Sequence, residues 1–300
     1  MDAIFLSSGD VIADRRFEWA RDLADKGDLT AAADLLTQAL ELCPRYAAAW
    51  FALGDAREKL GDRDSAVAAF EQARAVDPAD AHGATLRLAR LRDKAVAMPQ
   101  TYVRTLFDGY ASGFDAALTQ GLSYRAPELL LRAVQAVTPA MKFGAALDLG
   151  CGTGLGGAAF RPYCATLTGV DLSPAMLAQA RGKVLYDRLE QREVMAFLKA
   201  ETAHYDLILA ADVFMYLDEL HPVLEAVAVA TAPGGTVAFS VETHDGDDVM
   251  LRDTLRYAHG AALVRDALAA AGLTLLSLDS ASTRTEKGVP VPGLIVVARN

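Results

Sequence analysis

A glycine-rich turn between two predicted strands is the part of this chain best suited to bind a ligand. Residues 145–154 read Ala-Ala-Leu-Asp-Leu-Gly-Cys-Gly-Thr-Gly, and the apolar run through Asp148 predicts a buried strand. Glycine at alternate positions allows positive φ and lets a flat ligand lie against the backbone. The next predicted strand, 166–171, ends in Asp171, about 20 residues past the turn, where a carboxylate accepts hydrogen bonds from ribose hydroxyls. We therefore predict a site for an adenosine-containing cofactor at residues 148–176.

The turn also fits the G-x-G-x-x-G pattern of dinucleotide-binding proteins, from Gly152 to Gly157. Three details favour another class. Asp148 lies two residues before the first glycine, the glycines alternate closely, and Leu-Ser-Pro follows Asp171 at once, with Pro174 well placed at the first position of a helix. Together, Leu-Asp-Leu-Gly-Cys-Gly-Thr-Gly and Gly-Val-Asp-Leu-Ser-Pro-Ala-Met-Leu resemble the first two motifs of class I S-adenosylmethionine-dependent methyltransferases.

The resemblance implies which residues hold the cofactor, S-adenosylmethionine. In this class an acid after the third strand commonly accepts a hydrogen bond from the adenine amino group, and Glu193 is the candidate, with Glu190 as its competitor. The aromatic segment 102–118 resembles the lid that precedes the fold in many small-molecule methyltransferases, and Tyr124 or Arg125 would orient the cofactor carboxylate. The implied cofactor residues are Asp148, Gly150, Cys151, Gly152, Gly154, Asp171, Leu172, Met176, Glu193, Val194 and Asp212, with Tyr102 and Tyr110 from the lid.

The clearest predicted strand is apolar on both faces and begins at Tyr205. Asp212 lies at its carboxyl end, where open α/β sheets bind ligands, so it is a candidate for catalysis as well as for cofactor binding. The segment lacks the Asn/Asp-Pro-Pro-Tyr signature of nucleobase amino methylation and the Pro-Cys pair that attacks pyrimidines. Methylation of nucleobases is therefore disfavoured.

The polar segment 242–259 holds two of the five histidines, His244 and His259. Methyl transfer needs a base only if the acceptor is protonated at neutral pH, and histidine suits that role. His259 is the candidate catalytic residue. A carboxylate acceptor would instead need a cation such as Arg256 or Arg284. The sequence does not choose between these alternatives.

The first ninety residues contain a repeat of 34 positions in which Gly27, Ala32, Ala39 and Pro44 recur as Gly61, Ala66, Ala73 and Pro78. The pattern resembles the tetratricopeptide repeat, with Trp50, Leu53 and Gly54 at the start of the second copy. We expect two repeats and a capping helix over residues 1–96, and the methyltransferase-like domain over 97–300. The repeats either bind a protein segment in their groove or complete the fold or a homodimer.

The expected fold class is α/β: a Rossmann-like sheet of seven strands, preceded by a small all-α repeat domain. Strands are predicted in the apolar run from Ala145 into Asp148, at 166–171, within 183–198, from Tyr205 to Leu217, and at 236–242, 273–279 and 293–299. The last is expected to be the antiparallel strand of a class I methyltransferase sheet, with right-handed crossovers and helices on both faces.

Composition narrows the remaining choices. The 300 residues carry a net charge of −10, which disfavours nucleic acids and anionic membranes as partners. Three unpaired cysteines predict a reducing compartment and no metal site. The first residues lack the basic flank and apolar run of a signal peptide, and no apolar segment is long enough to span a membrane, so a cytoplasmic protein is expected.

The sequence thus predicts methyl transfer from S-adenosylmethionine to an oxygen, nitrogen or carboxylate of a small molecule. Two alternatives belong to other classes. One is an NAD(P)-dependent oxidoreductase built on the Gly152–Gly157 pattern. The other is a non-catalytic adaptor that senses the cofactor and acts through its repeats.

Overall fold

The computed structural model describes residues 7–92, 94, 96–116, 118 and 121–300. Its contacts divide the chain into two compact units, and the boundary in the sequence falls between Gly109 and Tyr110. This division falls later than the sequence boundary near residue 97, because helix α6 (Gln100–Tyr110) counts almost entirely with the first unit.

Five helices form the repeat part of the first unit: α1 (Val11–Asp25), α2 (Leu29–Leu42), α3 (Ala47–Lys59), α4 (Arg63–Val76) and α5 (Ala84–Leu91). Asp10, Asp28 and Asp62 cap α1, α2 and α4 by accepting backbone N–H bonds with their side chains. Small residues let paired helices approach closely: a Cβ at Gly54 would lie 2.6 Å from the Phe70 ring. The predicted small all-α domain ahead of the sheet is confirmed.

The second unit is built on a sheet whose strands run in the order β3-β2-β1-β4-β5-β11-β8. Its strands are β1 (Phe143–Leu149), β2 (Cys164–Asp171), β3 (Arg188–Gln191), β4 (Tyr205–Ala210), β5 (Thr231–Glu242), β8 (Thr274–Ser280) and β11 (Gly293–Arg299). The first five pair in parallel, and β11 runs antiparallel to both β5 and β8. This order confirms the predicted class I methyltransferase fold.

A short helix, α7 (Phe114–Ala116), precedes the sheet. Helices cover both faces of the sheet: α8 (Ala126–Val137), α9 (Leu155–Phe160), α10 (Pro174–Gly182), α11 (Val194–Ala200), α12 (His221–Ala230) and α13 (Ala261–Ala270). Successive residues of β1 point to opposite faces, so Ala146 and Leu147 belong to two different apolar clusters. Burial on both faces is the reason that the central strands read as continuous apolar runs.

Four short strands were not predicted. Strands β6 (Val249–Leu251) and β7 (Tyr257–His259) pair with each other, and β7 extends the sheet beyond the end of β5. Strands β9 (Thr285–Glu286) and β10 (Val289–Pro290) form a separate hairpin. Both pairs lie in the segments that follow the carboxyl end of β5 and the end of β8, so they shape the edge of the sheet where a ligand would bind.

Within the described ranges, the structure contains no helix of the length and apolar character that crossing a bilayer requires. The same residues contain no group of three His, Cys, Asp or Glu side chains arranged to hold a metal ion.

Candidate functional site

The glycine turn leaves the carboxyl end of β1 in a conformation that side chains rarely adopt. The φ angles are +61° at Gly150, +54° at Gly152 and +92° at Gly154. A Cβ at Gly150 would lie 2.5 Å from a methyl group of Val213, so this glycine lets the turn after β1 approach the turn after β4. A Cβ at Gly152 would meet no atom within 4 Å, which leaves open space above the turn.

The Asp171 carboxylate joins that turn to the start of α10. Its Oδ2 accepts a hydrogen bond from the Gly152 amide at 2.9 Å, and its Oδ1 accepts one from the Ser173 amide at 2.8 Å. The Ser173 side chain in turn caps α10. The structure therefore brings together the two motifs that the sequence placed in one site. Leu172 is half-buried beside them, whereas Met176 lies fully buried in the first turn of α10.

Asp148 lies beneath the turn with only 1% of its surface exposed. Its Oδ2 accepts a hydrogen bond from the Tyr186 hydroxyl at 2.7 Å. Burial raises the pKa of the carboxyl group to about 7, and the charge of Asp171 adds to this, while the hydrogen bonds from Tyr186 and the Gly157 amide lower it. Burial likewise raises the pKa of the Cys151 thiol well above its usual value, so this residue has the protonated thiol of a small packing residue.

Glu193 caps helix α11, which follows β3. Its two carboxylate oxygens accept hydrogen bonds from the amides of Met195 and Ala196, each at 2.8 Å. Val194, the first residue of α11, packs against the apolar cluster of the sheet. The adenine contact of Glu193 and the cofactor contact of Val194 stay predictions.

Asp115, in α7, connects the segment before the sheet to the glycine turn, and sequence reasoning missed it. Its Oδ1 accepts a hydrogen bond from the Thr153 hydroxyl, and its Oδ2 lies 2.6 Å from Nζ of Lys183. No local pattern reveals such a link, because the three residues are distant in sequence. The contact shows that the short helix of the predicted lid segment packs on the glycine turn.

The two lid tyrosines occupy different environments. The Tyr102 ring lies against Gly83, 2.9 Å from where a Cβ would be, within the first unit. Tyr110 ends α6 with 54% of its surface exposed. Their contact with the cofactor stays a prediction.

Asp212 adopts an unusual backbone conformation after β4, with φ at +56°. Its amide donates to the Ser240 hydroxyl at 2.8 Å, and that hydroxyl donates to Asp212 Oδ1 at 2.6 Å. Oδ2 accepts from the Thr283 hydroxyl at 2.9 Å and from Nη1 of Arg284 at 3.0 Å. These bonds hold a strained turn at the carboxyl end of the sheet, as strained functional turns require.

Beside Asp212 lies a partly buried group of charges that we call the arginine–carboxylate cluster. Arg284, only 4% exposed, pairs with Asp212, Glu242 and Glu286. The cluster comprises Asp212, Glu242, Glu286, Arg252, Arg256 and Arg284. Both arginines predicted to clamp a carboxylate acceptor therefore already contact carboxylates of the protein.

The segment 122–125 joins this cluster through its backbone. The Arg125 amide donates to the Thr283 carbonyl at 2.7 Å, and the Thr285 amide donates to the Leu122 carbonyl at 2.7 Å. Burial raises the pKa of the Tyr124 phenol well above its usual value, with the charges of Asp212 and Asp148 adding to the rise. A cavity of about 310 Å³ opens here, lined by Tyr124, Arg125, Pro127, Glu128, Leu131, Leu155 and Ala159.

His259 is fully buried at the end of β7. Its Nε2 lies 3.0 Å from the Leu217 carbonyl, so this nitrogen carries the proton, while Nδ1 has no hydrogen-bond partner in the described part of the chain. Burial lowers the pKa of the imidazole to about 4. His244 lies 2.9 Å from the Asp248 carbonyl and accepts from the Gly246 amide, which makes it part of a local loop.

These residues fit S-adenosylmethionine at the turn after β1. Gly152 leaves open space there, and Asp171 holds the turn beside the end of β2. The cavity lined by Tyr124 and Arg125 is also lined by Leu155, the residue that follows Gly154 of the turn.

Comparison with known proteins agrees with this geometry. Residues 147–237 match a family model described as a methyltransferase domain, residues 20–61 match a TPR repeat model, and residues 47–80 match a tetratricopeptide repeat model.

Two curated relatives and one solved structure extend the comparison. The malonyl-[acyl-carrier protein] O-methyltransferase of Enterobacter lignolyticus (strain SCF1) is 32% identical over 38% of this chain and 45% of its own length. The human methyltransferase-like protein 27 is 30% identical over 56% of this chain and 66% of its own length, so the chain spans less than two thirds of either relative.

The solved structure is a chain of the complex between the Haloferax volcanii Trm112 methyltransferase activator and its methyltransferase. It aligns with a TM-score of 0.51 and 21% identity, over 64% of this chain and 96% of its own length. This similarity shows the fold. The chain therefore combines regions that match tetratricopeptide repeats with a region that matches a methyltransferase domain, on the fold of class I methyltransferases.

Proposed function

We propose that this protein transfers a methyl group from S-adenosylmethionine to a small-molecule acceptor. The observation that carries the proposal is the hydrogen bond from the Gly152 amide to Asp171, which joins the open glycine turn to the carboxylate at the end of β2. A carboxylate in that position accepts hydrogen bonds from ribose hydroxyls. The match of residues 147–237 to a methyltransferase domain supports the same conclusion.

The bound cofactor supplies a sulfonium methyl group, which is already activated for transfer. The protein's main contribution is then to orient the acceptor, and orientation can supply up to about 7–11 kcal/mol. We propose that Asp212 and His259 orient the acceptor. Asp212 follows the carboxyl end of β4, and His259 is the last residue of β7, which pairs with the end of β5. A neutral imidazole with an unpartnered Nδ1 is able to accept a proton or a hydrogen bond.

The acceptor class follows in part from the arginine–carboxylate cluster. Arg256 and Arg284 contact Glu242 and Glu286, so a carboxylate acceptor would have to displace a carboxylate of the protein. This pairing favours a hydroxyl or amine as the accepting group.

Thermal unfolding with S-adenosylmethionine, S-adenosylhomocysteine, NAD and NADP, each at about 100 times an expected dissociation constant, tests the cofactor. A ligand that binds the folded state adds about 2.7 kcal/mol of stability, or about 5–10 °C in Tm. We expect a shift with the first two alone. A shift with NAD or NADP alone would overturn the proposal in favour of an oxidoreductase.

Asp206 offers a matched control for Asp171. Its Oδ2 also accepts two backbone amides, those of Gly144 and Ala145, but at the opposite end of β1. We expect Asp171→Asn to abolish most of the shift caused by S-adenosylmethionine, whereas Asp206→Asn should lower the baseline Tm and keep the shift. Turnover on any acceptor would then exclude a non-catalytic adaptor.

We also infer that the repeats bind a protein partner. The support is the match of residues 20–61 and 47–80 to two repeat models. Light scattering after size exclusion separates this from self-association: a homodimer would favour a role of the repeats in assembly, and a monomer favours a separate partner.

A further inference from the structure

Tyr186, in the loop before β3, packs its ring against three glycines so closely that a Cβ at any of them would crowd it. A Cβ at Gly157 would lie 2.4 Å from its hydroxyl oxygen, one at Gly169 would lie 2.8 Å from its ring, and one at Gly154 would lie 3.1 Å from its ring. These glycines belong to the cofactor turn, to α9 and to β2. No motif used above includes Tyr186, yet its position is fixed from three elements.

The ring places the Tyr186 hydroxyl 2.7 Å from Oδ2 of Asp148, the buried carboxylate beneath the turn. That carboxylate also receives the Gly157 amide, and its oxygens lie 3.0 and 3.3 Å from where a Cβ of Gly156 would be. Asp148 is therefore held by one phenol and one amide in a site closed to solvent.

Among the residues that the structure describes, the titratable groups around Asp148 include no cation that pairs with it. They are Asp171 at the end of β2, Cys151 in the turn, Cys164 at the start of β2, Tyr186, and Tyr124 in the segment before α8. Asp171 is a second carboxylate, and the others are thiols and phenols. Ionisation of Asp148 thus depends on hydrogen-bond donors in the protein and on any cationic ligand that binds nearby.

We propose that Tyr186 is a positioning residue that acts through Asp148: its hydroxyl orients this carboxylate and favours the ionised form, which then stabilises the cationic cofactor above the turn. The inference rests on the proposed function, because it concerns S-adenosylmethionine as the ligand. The direction of the electrostatic effect agrees with the pKa of Asp148, which burial raises and the Tyr186 hydrogen bond lowers. Binding of a cation should therefore release a proton from Asp148 near neutral pH.

Tyr186→Phe tests the proposal, since it keeps the ring among the three glycines and removes only the hydroxyl. Calorimetric titration between pH 6 and 9 compares S-adenosylmethionine with S-adenosylhomocysteine, which lacks the sulfonium charge. We expect binding of S-adenosylmethionine to weaken about tenfold at pH 7, the loss typical of a hydrogen bond to a charged group. The difference in affinity between the variant and the wild type should narrow toward pH 9. The loss of affinity for S-adenosylhomocysteine should be smaller than that for S-adenosylmethionine.

Tyr163→Phe is the matched control, because its hydroxyl contacts Gln135 at 3.3 Å and lies outside this site. In an Asp148→Asn background, Tyr186→Phe should cause no further loss of affinity. Equal losses at every pH and for both ligands, or a further loss in that background, would show a merely structural role and overturn the inference. If the wild-type protein bound neither ligand, the proposed function itself would fail.

Discussion

Burial of the Asp148 carboxyl group under the glycine turn makes the stability of the fold depend on pH. Asp148 ionises near pH 4 in an unfolded chain and near pH 7 in the fold, because burial raises its pKa to about 7. Between these values the folded state binds more protons than the unfolded state. Stability contributed by this group is therefore fully present at low pH and is lost as pH rises from about 4 to about 7.

We predict that Asp148→Asn removes this loss. At pH 8 the variant should be more stable than the wild type by an amount on the order of 4 kcal/mol, with the gain vanishing toward pH 4. Its affinity for S-adenosylmethionine should fall at the same time, since the ionised carboxylate is gone. Chemical unfolding across pH 4–8 measures the first effect and calorimetry the second; a gain in stability that does not depend on pH would contradict the assignment.

His259 gives the second prediction at the level of single residues. Burial lowers its pKa to about 4, so the imidazole is neutral across the range in which most enzymes work. We expect His259→Ala to slow turnover while the affinity for S-adenosylmethionine stays unchanged, and the wild-type rate to show no titration of this residue between pH 5 and 8. His244→Ala is the control. Unchanged turnover in His259→Ala would remove it from the mechanism.

Individual site residues could be predicted from sequence where they belong to a short motif whose backbone conformation forms the site. The glycines after β1 and the carboxylate of Asp171 belong to short motifs, and the structure joins them directly. Tyr186 and Asp115 were missed because each acts through a partner brought near only by the fold. Arg284 was predicted as a possible clamp for a carboxylate acceptor, but its partners in the protein, from the turn after β4 and from β5 and β9, are likewise brought near only by the fold.

Among the secondary-structure elements, long apolar runs were the reliable signal. The central strands of the sheet are buried on both faces and could be placed from sequence alone. Strand β3 was weakly marked because it lies at the edge and spans only Arg188–Gln191, with charged and polar residues. Strands β6 and β7 were not predicted, because each has three residues, too few to show the alternation of apolar and polar side chains.

Strand β2 provides a prediction at this scale. A Cβ at Gly169 would lie 2.8 Å from both Leu189 and Tyr186, so Gly169→Ala should overpack this edge of the sheet and destabilise the fold by about 1–3 kcal/mol. Gly182→Ala is the matched control, because a Cβ there would meet nothing within 4 Å, and it should stabilise by about 0.4–1 kcal/mol. Denaturant unfolding of both variants checks the pair; equal effects would refute the packing argument.

At the scale of the whole molecule, the order of the two parts was predictable because each has its own sequence signature. A 34-residue repeat predicts stacked helices, and a glycine turn after an apolar run predicts a nucleotide-binding sheet. The sequence placed the boundary near residue 97, whereas the compact units divide at Gly109 and Tyr110. Proline and a change of pattern mark the end of a helix, but they do not tell which unit the next helix joins.

Hydrogen exchange over the whole chain tests the extent of the site. Addition of S-adenosylmethionine should slow exchange at the turns after β1, β2 and β4, at residues 113–116 and at residues 122–125. Asp115 bonds to Thr153 of the first turn, and residues 122–125 bond to the segment that contacts Asp212. Strand β8, at the far edge of the sheet from β3, serves as the internal reference and should be unaffected. Equal protection of β8 would indicate general stabilisation, and protection absent from the three turns would place the ligand elsewhere.

The arginine–carboxylate cluster also constrains how this protein can diverge. Arg284 pairs with Asp212, Glu242 and Glu286, while Arg252 and Arg256 also pair with Glu242, and Arg256 with Glu286. Losing Arg284 alone would therefore remove the ion pair of the largely buried Asp212, at a cost of about 3–5 kcal/mol. Relatives that use this edge of the sheet for other acceptors would therefore be expected to exchange these positions together, and covariation among them would trace the history of the acceptor site.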